Sequence, residues 1–171
     1  MALGTGYSAQ NCSIARALEI VGERWTVLVL RDCFYGVRRF SDLLAHLDIS
    51  RAVLTDRLSS LVEAGLLVRH AEGGHPEYVL TEAGIAFWPS IFALGRWGDR
   101  FGTANPPSRI YTHADCRGDL DDRGVCLSCG AFPGPEDIDA SPGPGADNRR
   151  TDAVSAALRQ RHRLLTPVMS G

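Results

Sequence analysis

The pattern of apolar positions in the first part of the chain is helical. Apolar residues recur at spacings of three and four, with polar residues between them. Ser50 stands where it can cap the last of these stretches, and Gly65 follows its end. The pattern predicts four helices, over about residues 12–21, 24–34, 41–47 and 51–64.

The pattern then changes from helical spacing to alternation. Residues 66–70 and 77–80 read as two short strands, and the turn-forming sequence AEGGHP lies between them, which predicts a β-hairpin. A further helix, rich in aromatic residues, is predicted from Thr81 to about Gly102. Pro89 lies early enough in this helix to bend it without ending it.

The composition shifts after Gly102. Residues 113–130 contain three of the five cysteines. Residues 133–148 are rich in Pro and Gly, so we expect them to supply no core and to be mobile. The stretch from Asp152 to Leu165 can form a short arginine-rich helix.

This order of elements is typical of a winged helix-turn-helix. The predicted fold class is mainly α (α+β), with a dimerisation helix and a small cysteine-rich C-terminal appendage. The predicted domains are the winged helix-turn-helix over 11–102, a zinc-ribbon-like segment over 103–132, and a flexible linker with an arginine-rich tail over 133–171.

The composition is that of an ordinary globular protein, with 44% hydrophobic and 22% charged residues. No run of eighteen apolar residues is present, and the N-terminus lacks the basic and apolar regions of a secretory signal, so a cytoplasmic protein is expected. The sequence contains no nucleophile–base–acid set and no glycine-rich phosphate loop. We therefore predict no enzymatic activity.

Placement of the basic residues says more about function than the net charge of −2. All eighteen are arginine, whose fork-shaped guanidinium suits phosphate and guanine. On the fourth helix, small and polar residues lie opposite the leucines, near the positive N-terminal end, as a helix that enters the major groove requires. A solvated polar face explains any one of these residues, but the set favours DNA. The predicted DNA-binding residues are Arg38, Arg39, Ser50, Arg51, Ala52, Thr55, Arg57, Arg69, His70 and His75.

Several short motifs between residues 11 and 100 resemble the HxlR-type family of bacterial transcriptional regulators. In this sequence they are Cys12, Gly22-x-x-Trp25, Arg39-Phe40, Ile49-Ser50, Leu54-Thr55-x-Arg57-Leu58, Pro76-x-Tyr78 and Leu80-Thr81-x-x-Gly84. The chain departs from the family pattern in a compact wing and in Ala52, where a basic residue is usual. The resemblance implies a homodimer on a pseudo-palindromic operator of double-stranded DNA, with the first and last helices of each subunit at the interface. A repressor is the favoured role, and the effector is unknown.

A second motif lies in the cysteine-rich segment. His113-x-x-Cys116 is followed after nine residues by Cys126-x-x-Cys129-Gly130, a spacing typical of a zinc ribbon. The four side chains are predicted ligands of a structural Zn²⁺ ion. The alternative is a free or disulfide-forming cysteine pair in which His113 plays no part.

Cys12 is a candidate redox sensor, because a thiol at a helix N-terminus can have a lowered pKa. A small residue packed at the dimer interface is the alternative. Two further hypotheses for the whole chain are a zinc-stabilised protein-interaction module without DNA binding and a cysteine-based redox-sensing regulator.

Overall fold

The computed structural model describes residues 6–7, 10–71, 75–102, 106–147 and 149–168. Its first four helices follow the predicted order, and their bounds lie within two residues of the predicted ones. They are α1 (Ser13–Val21), α2 (Thr26–Phe34), α3 (Phe40–Leu47) and α4 (Arg51–Glu63).

The turn between α3 and α4 is short. Asp48 ends α3 in the left-handed region, with φ of 53°, and its N–H donates to the carbonyl of Leu44. Two residues later the Ser50 side chain accepts a hydrogen bond from the N–H of Val53, at 3.2 Å, and so caps α4. The predicted cap is confirmed, and it fixes the direction in which α4 leaves the turn.

The predicted hairpin is also confirmed. Strands β1 (Leu67–His70) and β2 (Glu77–Leu80) pair antiparallel, with Leu67 opposite Leu80 and His70 opposite Glu77. Arg39 forms a further antiparallel bridge with Glu77. This bridge joins the start of α3 to the hairpin and completes the winged helix-turn-helix.

The aromatic-rich stretch forms two helices rather than one bent helix. α5 (Glu82–Ile85) ends before a turn at Ala86 and Phe87, and α6 (Trp88–Trp97) then begins and continues as a π-helical turn over Gly98–Gly102. Pro89 lies in the first turn of α6, where its missing N–H costs nothing. The expectation of a single bent helix was wrong, because Pro89 cannot donate to a preceding turn but suits a new helix start.

The segment after residue 106 forms a second small sheet. Strands β3 (Arg109–His113), β4 (Ile138–Pro142) and β5 (His162–Arg163) pair antiparallel in that order. A 3₁₀ turn (Pro135–Asp137) precedes β4, and helix α7 (Ala153–Ala157) precedes β5. The three strands, the cysteine segment and α7 are together called the appendage below.

Two expectations for this region were wrong. Ile138 and Ala140, inside the segment expected to supply no core, are buried. The stretch from Asp152 to Leu165 holds a five-residue helix and a strand rather than one helix. A strand needs few apolar side chains when its backbone pairs on both edges, as β4 does, so composition misled the prediction. The predicted domain boundaries stay a prediction.

The winged helix-turn-helix, formed by α1–α6 with β1 and β2, is called the winged unit. One hydrophobic core joins it to the appendage. Trp88 of α6 lies at its centre, with its ring 5.1 Å from that of Phe34 and 5.6 Å from that of Tyr111. The chain end closes over the same core, where the N–H of Leu165 donates to the carbonyl of Phe34. Gly36, with φ of 83°, has no room for a side chain there, since a Cβ would lie 1.8 Å from the carbonyl oxygen of Thr166.

A charged network is buried between α2 and α3. The Asp32 carboxylate is fully buried and accepts from Arg31, at 2.7 and 2.9 Å, and lies 2.7 Å from Nδ1 of His46. Burial by itself lowers the pKa of Arg31, but the Asp32 carboxylate more than offsets this and the pKa is raised. The network holds the two helices together with charge as well as with apolar contacts.

No helix among the described residues is long and apolar enough to cross a membrane.

Removing the centre of this network is expected to destabilise the fold. Asp32→Ala leaves His46 and the inner part of Arg31 without their acceptor. The free energy of unfolding should fall by about 2–4 kcal/mol, below the full value for a completely buried pair because Arg31 is partly exposed. Urea unfolding followed by circular dichroism measures the change. Glu63→Ala, on the exposed side of α4, is the control and should stay within about 0.5 kcal/mol of wild type; an equal loss in both variants would contradict a special role for Asp32.

Candidate nucleic-acid interface and metal centre

Helix α4 presents a polar face at its N-terminal end. Leu54, Leu58 and Leu61 are buried in the core, as predicted. The predicted DNA-binding residues at the N-terminal end of α4 are all exposed; they are Ser50, Arg51, Ala52 and Thr55. The first turn of α4 contains no acidic residue, so its helix dipole is free to attract phosphate.

The side chains on this face are held by contacts within the protein. The guanidinium of Arg51 lies 5.2 Å from the ring centroid of Phe40, at the start of α3. The hydroxyl of Thr55 donates to the carbonyl of Arg51, at 2.9 Å. Such contacts keep both side chains close to the helix surface, and an exposed cation–π contact is weak enough to be exchanged for a base.

Arg57 is the least accessible of the predicted contacts. Only 13% of its side chain is exposed, and it pairs with Glu23, at 3.5 Å, and with Asp56. Contact with a phosphate requires these pairs to break. Its role in DNA binding stays a prediction.

The remaining predicted residues surround the hairpin. Arg38 and Arg39 lie 4.0 and 3.9 Å from the Glu77 carboxylate, and Arg38 also donates to the carbonyl of Leu165. Arg38 is therefore partly structural, because it ties the hairpin base to the end of the chain. Arg69, His70 and His75 are exposed on and beside the hairpin. The hairpin tip, residues 72–74, lies outside the described residues.

The acidic partners of these arginines were not found from the sequence. Glu23 precedes α2 and pairs with Arg57, and Glu77 begins β2 and pairs with Arg39. Both pairs are distant in sequence, and only the fold brings them together. Among these acidic partners, Asp56 alone is adjacent in sequence to its arginine, Arg57.

Helices α6 and α1 each expose apolar side chains. The outer side of α6 and the turn after it carries Leu94, Trp97 and Phe101, with exposed fractions of 53, 60 and 63%. On α1, Ile14 is 71% exposed and Leu18 is 39% exposed. Exposed apolar side chains grouped in this way are typical of a surface that another protein covers.

The four predicted metal ligands come together. Nδ1 of His113 lies 3.3 Å from Sγ of Cys129 and 3.4 Å from Sγ of Cys116, and Cys116 lies 3.3 Å from Cys126. All four ligand atoms lie within 4.8 Å of one another, and the cysteines are free thiols. In a tetrahedral zinc site, neighbouring ligand atoms lie roughly 3.5–3.8 Å apart. The cluster therefore has the size and the donor set of a zinc site.

Tight backbone turns build the cluster. Gly118 follows Cys116 and packs against the second turn, since a Cβ there would lie 2.6 Å from Sγ of Cys126. Gly130 closes the second turn with φ of 73°, and its N–H donates to the carbonyl of Cys126, at 2.9 Å. A glycine adopts this positive φ without strain, so the backbone can curl around the sulfur.

Backbone N–H groups of the same turns shift the pKa of two of the thiols. The N–H groups of Cys129 and Ser128 point at Sγ of Cys126 and lower the pKa of that thiol to about 6. The N–H of Gly118 lowers the pKa of Cys116, but the interactions with Cys126 and Cys129 outweigh it and the pKa is raised. One thiolate stabilised by backbone donors, beside a second thiol, is an arrangement suited to a soft divalent cation.

Cys12 lies outside this cluster. It is exposed and precedes α1 at the N-cap position, where its side chain makes no capping hydrogen bond. Its role as a redox sensor stays a prediction.

A short helix-turn-helix followed by a hairpin wing defines a winged-helix protein of the kind that regulates transcription. A family model for the HxlR-like helix-turn-helix matches residues 20–106. An uncharacterized HTH-type transcriptional regulator of Mycobacterium tuberculosis is 43% identical over 138 residues, covering 78% of this chain and 87% of that protein. The chain belongs to the HxlR-like helix-turn-helix family and is an HTH-type transcriptional regulator.

More distant relatives agree with this assignment. An uncharacterized HTH-type transcriptional regulator of Methanothermobacter thermautotrophicus is 33% identical over 110 residues, covering 58% of this chain and 84% of that protein. The crystal structure of PA1607, a proposed transcription factor, is 31% identical with a TM-score of 0.60 and covers 71% of this chain and 87% of that one. The match to PA1607 extends over more of the chain than the family model does.

Proposed function

We propose that this protein is a repressor that binds a pseudo-palindromic operator as a homodimer. The observation that carries the proposal is the exposed N-terminal face of α4, where Arg51 and Thr55 stand beside a helix start free of acidic residues. Small side chains on this face let the backbone approach base edges.

The basic residues around this face support contacts to the DNA backbone. Arg39 lies at the start of α3, and Arg69 and His70 lie on the hairpin, so they flank α4 on two sides. The ion pairs that restrain Arg38 and Arg39 are long, at 4.0 and 3.9 Å, and partly exposed, so they are worth little and are readily exchanged for phosphate.

Binding to the region upstream of the protein's own gene tests the proposal. Fluorescence anisotropy with this duplex, over a series of salt concentrations, should give a steep linear decrease of log K with log salt, about 0.9 per phosphate contacted. A shuffled duplex of the same composition should bind far more weakly. Equal binding to both duplexes, or no dependence on salt, would instead support a protein-interaction module without DNA binding.

Two arginine variants separate base reading from phosphate contact. Arg51→Ala should cost about 1–3 kcal/mol of binding to the upstream duplex and relax the preference at one base position. Arg39→Ala should weaken binding to both duplexes alike, because a phosphate contact carries no sequence information. Arg149→Ala, at an exposed arginine between β4 and α7, is the control. An equal loss on both duplexes for Arg51→Ala would remove its base-reading role.

The proposed dimer forms through the exposed apolar face of α6, together with the exposed apolar residues of α1. Trp97 and Phe101 stack at 6.0 Å and remain mostly exposed in a single chain. Aromatic residues are enriched at the centre of protein interfaces, so a second copy that covers this face is the natural partner. In such a dimer the two α4 helices would contact half-sites about one helical turn apart.

Charge placed on this face should separate the subunits. Wild type is expected to scatter light with twice the chain mass of 18.5 kDa at micromolar concentration. Trp97→Asp should give the single-chain mass, because a buried carboxylate at the interface is costly. Leu127→Asp places the same charge on another exposed apolar residue and should remain dimeric. A monomeric wild-type protein would overturn the proposal.

The metal centre is proposed to hold one structural Zn²⁺ ion. His113, Cys116, Cys126 and Cys129 supply four protein ligands, which leaves no open position for a substrate. When bound, the ion would supply a crosslink between the two backbone turns. The turns connect to α6 through Asp122, which accepts from Nε and Nη2 of Arg96 at 3.0 and 2.8 Å.

Metal content tests the zinc site directly. Protein purified under reducing conditions should contain about one equivalent of zinc per chain. Cys126→Ser should lose most of it and become more sensitive to proteolysis within residues 113–130. Cys12→Ser, an exposed cysteine outside the cluster, should keep the full equivalent. Metal-free wild type, or full retention in Cys126→Ser, would contradict the site and favour a redox pair.

A further inference from the structure

A cavity lies between the winged unit and the appendage. Its volume is about 460 Å³, within the range of pockets that bind small organic molecules. Its walls come from α2, α6, β3 and the region around α7, so it exists only because the appendage folds back on the winged unit. Neither the DNA-facing side of α4 nor the cysteine cluster contributes to it.

One end of the cavity is rich in hydrogen-bond donors. The guanidinium groups of Arg31 and Arg109 lie 5.9 and 5.3 Å from the ring centroid of Tyr35. Arg109 donates to the carbonyl of Leu158, and among the described residues it has no carboxylate partner. Its charge is therefore not neutralised by an ion pair, in contrast to Arg31, which pairs with Asp32.

Two tyrosine hydroxyls meet at the same end. The hydroxyl oxygens of Tyr35 and Tyr111 lie 2.9 Å apart, so one of them donates to the other. The second hydroxyl proton has no acceptor among the described residues. Burial raises the pKa of Tyr111 well above its usual range, so this hydroxyl stays a donor at neutral pH.

The two acidic residues on the cavity wall are already engaged from outside it. Asp147 accepts from Arg149 at 2.8 Å, and Asp99 lies 3.4 Å from Arg96. Neither Arg149 nor Arg96 lines the cavity. The carboxylates therefore do little to offset the positive charge at Arg109.

The rest of the cavity wall combines apolar side chains with further polar and basic ones, which are His46, Ser108, Arg150, Ser155 and Arg159. The apolar part is lined by Val27 and Leu28 of α2, by Ile91 and Phe92 of α6, and by Leu158, which follows α7. A cavity with apolar walls on α2 and α6 and a surplus of basic donors suits a ligand that has an apolar body and an anionic group. Guanidinium and phenol donors together match a carboxylate, which accepts several hydrogen bonds on two oxygens.

We propose that this cavity binds a small organic carboxylate, whose anionic group contacts Arg109 and the Tyr35–Tyr111 pair and whose aromatic or aliphatic body lies between α2 and α6. The site is independent of the proposed DNA contacts. Because its walls belong to both halves of the molecule, an occupied cavity stabilises the packing of the appendage on the winged unit.

Calorimetric titration of the full-length protein without DNA tests the site. The probes are benzoate, 3-phenylpropanoate and 2-naphthoate, each with its neutral amide as a matched control. At least one carboxylate should bind with a Kd on the order of 1 mM or tighter. Its amide should bind at least about tenfold more weakly, since it lacks the charge that Arg109 recognises.

Three variants locate the binding. Arg109→Gln should weaken the carboxylate by about tenfold, and Tyr111→Phe, which keeps the ring contacts with Trp88 and Phe92, by about fivefold. Arg161→Gln removes an arginine that precedes β5 and does not line the cavity, and it should bind as wild type does. Circular dichroism and binding of the upstream duplex show whether each variant is folded, so a lost carboxylate site is distinguished from a lost DNA site.

Other outcomes overturn the proposal. No heat with any of the three carboxylates would mean that the cavity is not a ligand site, as when a side chain of a second copy fills it. Equal affinity for a carboxylate and its amide would remove the anionic contact. Unchanged affinity in both Arg109→Gln and Tyr111→Phe would place the binding elsewhere on the protein.

Discussion

The packing around Trp88 is the contact on which the rest of the structure depends. Its ring touches Phe34 of the winged unit on one side and Tyr111 of the appendage on the other. Helix α6 can present Trp97 and Phe101 outward because Trp88, Ile91 and Phe92 already anchor its inner face. Helix α6 is thus held by the winged unit on one side and by the appendage on the other. Its fixed position determines the apolar outer surface, the cavity and the position of the metal centre.

Strand β3 links the two chemical sites of the appendage. Alternate residues of a strand face the same side, so Arg109, Tyr111 and His113 share one face. The first two line the cavity and the third belongs to the cysteine cluster. A ligand and a metal ion would therefore both act on one short strand, which pairs with β4 beside it.

In the proposed DNA contacts, arginines would exchange acidic partners within the protein for phosphates, rather than act through an excess of positive charge. The chain has a net charge of −2, and Arg39 and Arg57 each have an acidic partner nearby. An exposed pair such as Arg39–Glu77 contributes little stability and is screened by salt, so a phosphate would be able to replace the carboxylate. Only 13% of the Arg57 side chain is exposed, against 46% for Arg39. Exchange of its acidic partners for phosphate would therefore cost Arg57 more stabilising contacts than it would cost Arg39.

The sequence by itself determined the features that local chemistry controls. Ser50 caps α4 because a side-chain oxygen three residues before a free N–H suffices, and the cysteine spacing closes the cluster through tight turns. Only the tertiary structure decided the rest. In the sequence, Asp32 resembles any polar residue of an amphipathic helix, and its burial depends on α3, which places His46 against it. Strand β4 is held by backbone pairing with β3 and β5, which the composition of the segment does not predict. The cavity residues Tyr35 and Tyr111 lie 76 positions apart, and only long-range packing brings them together.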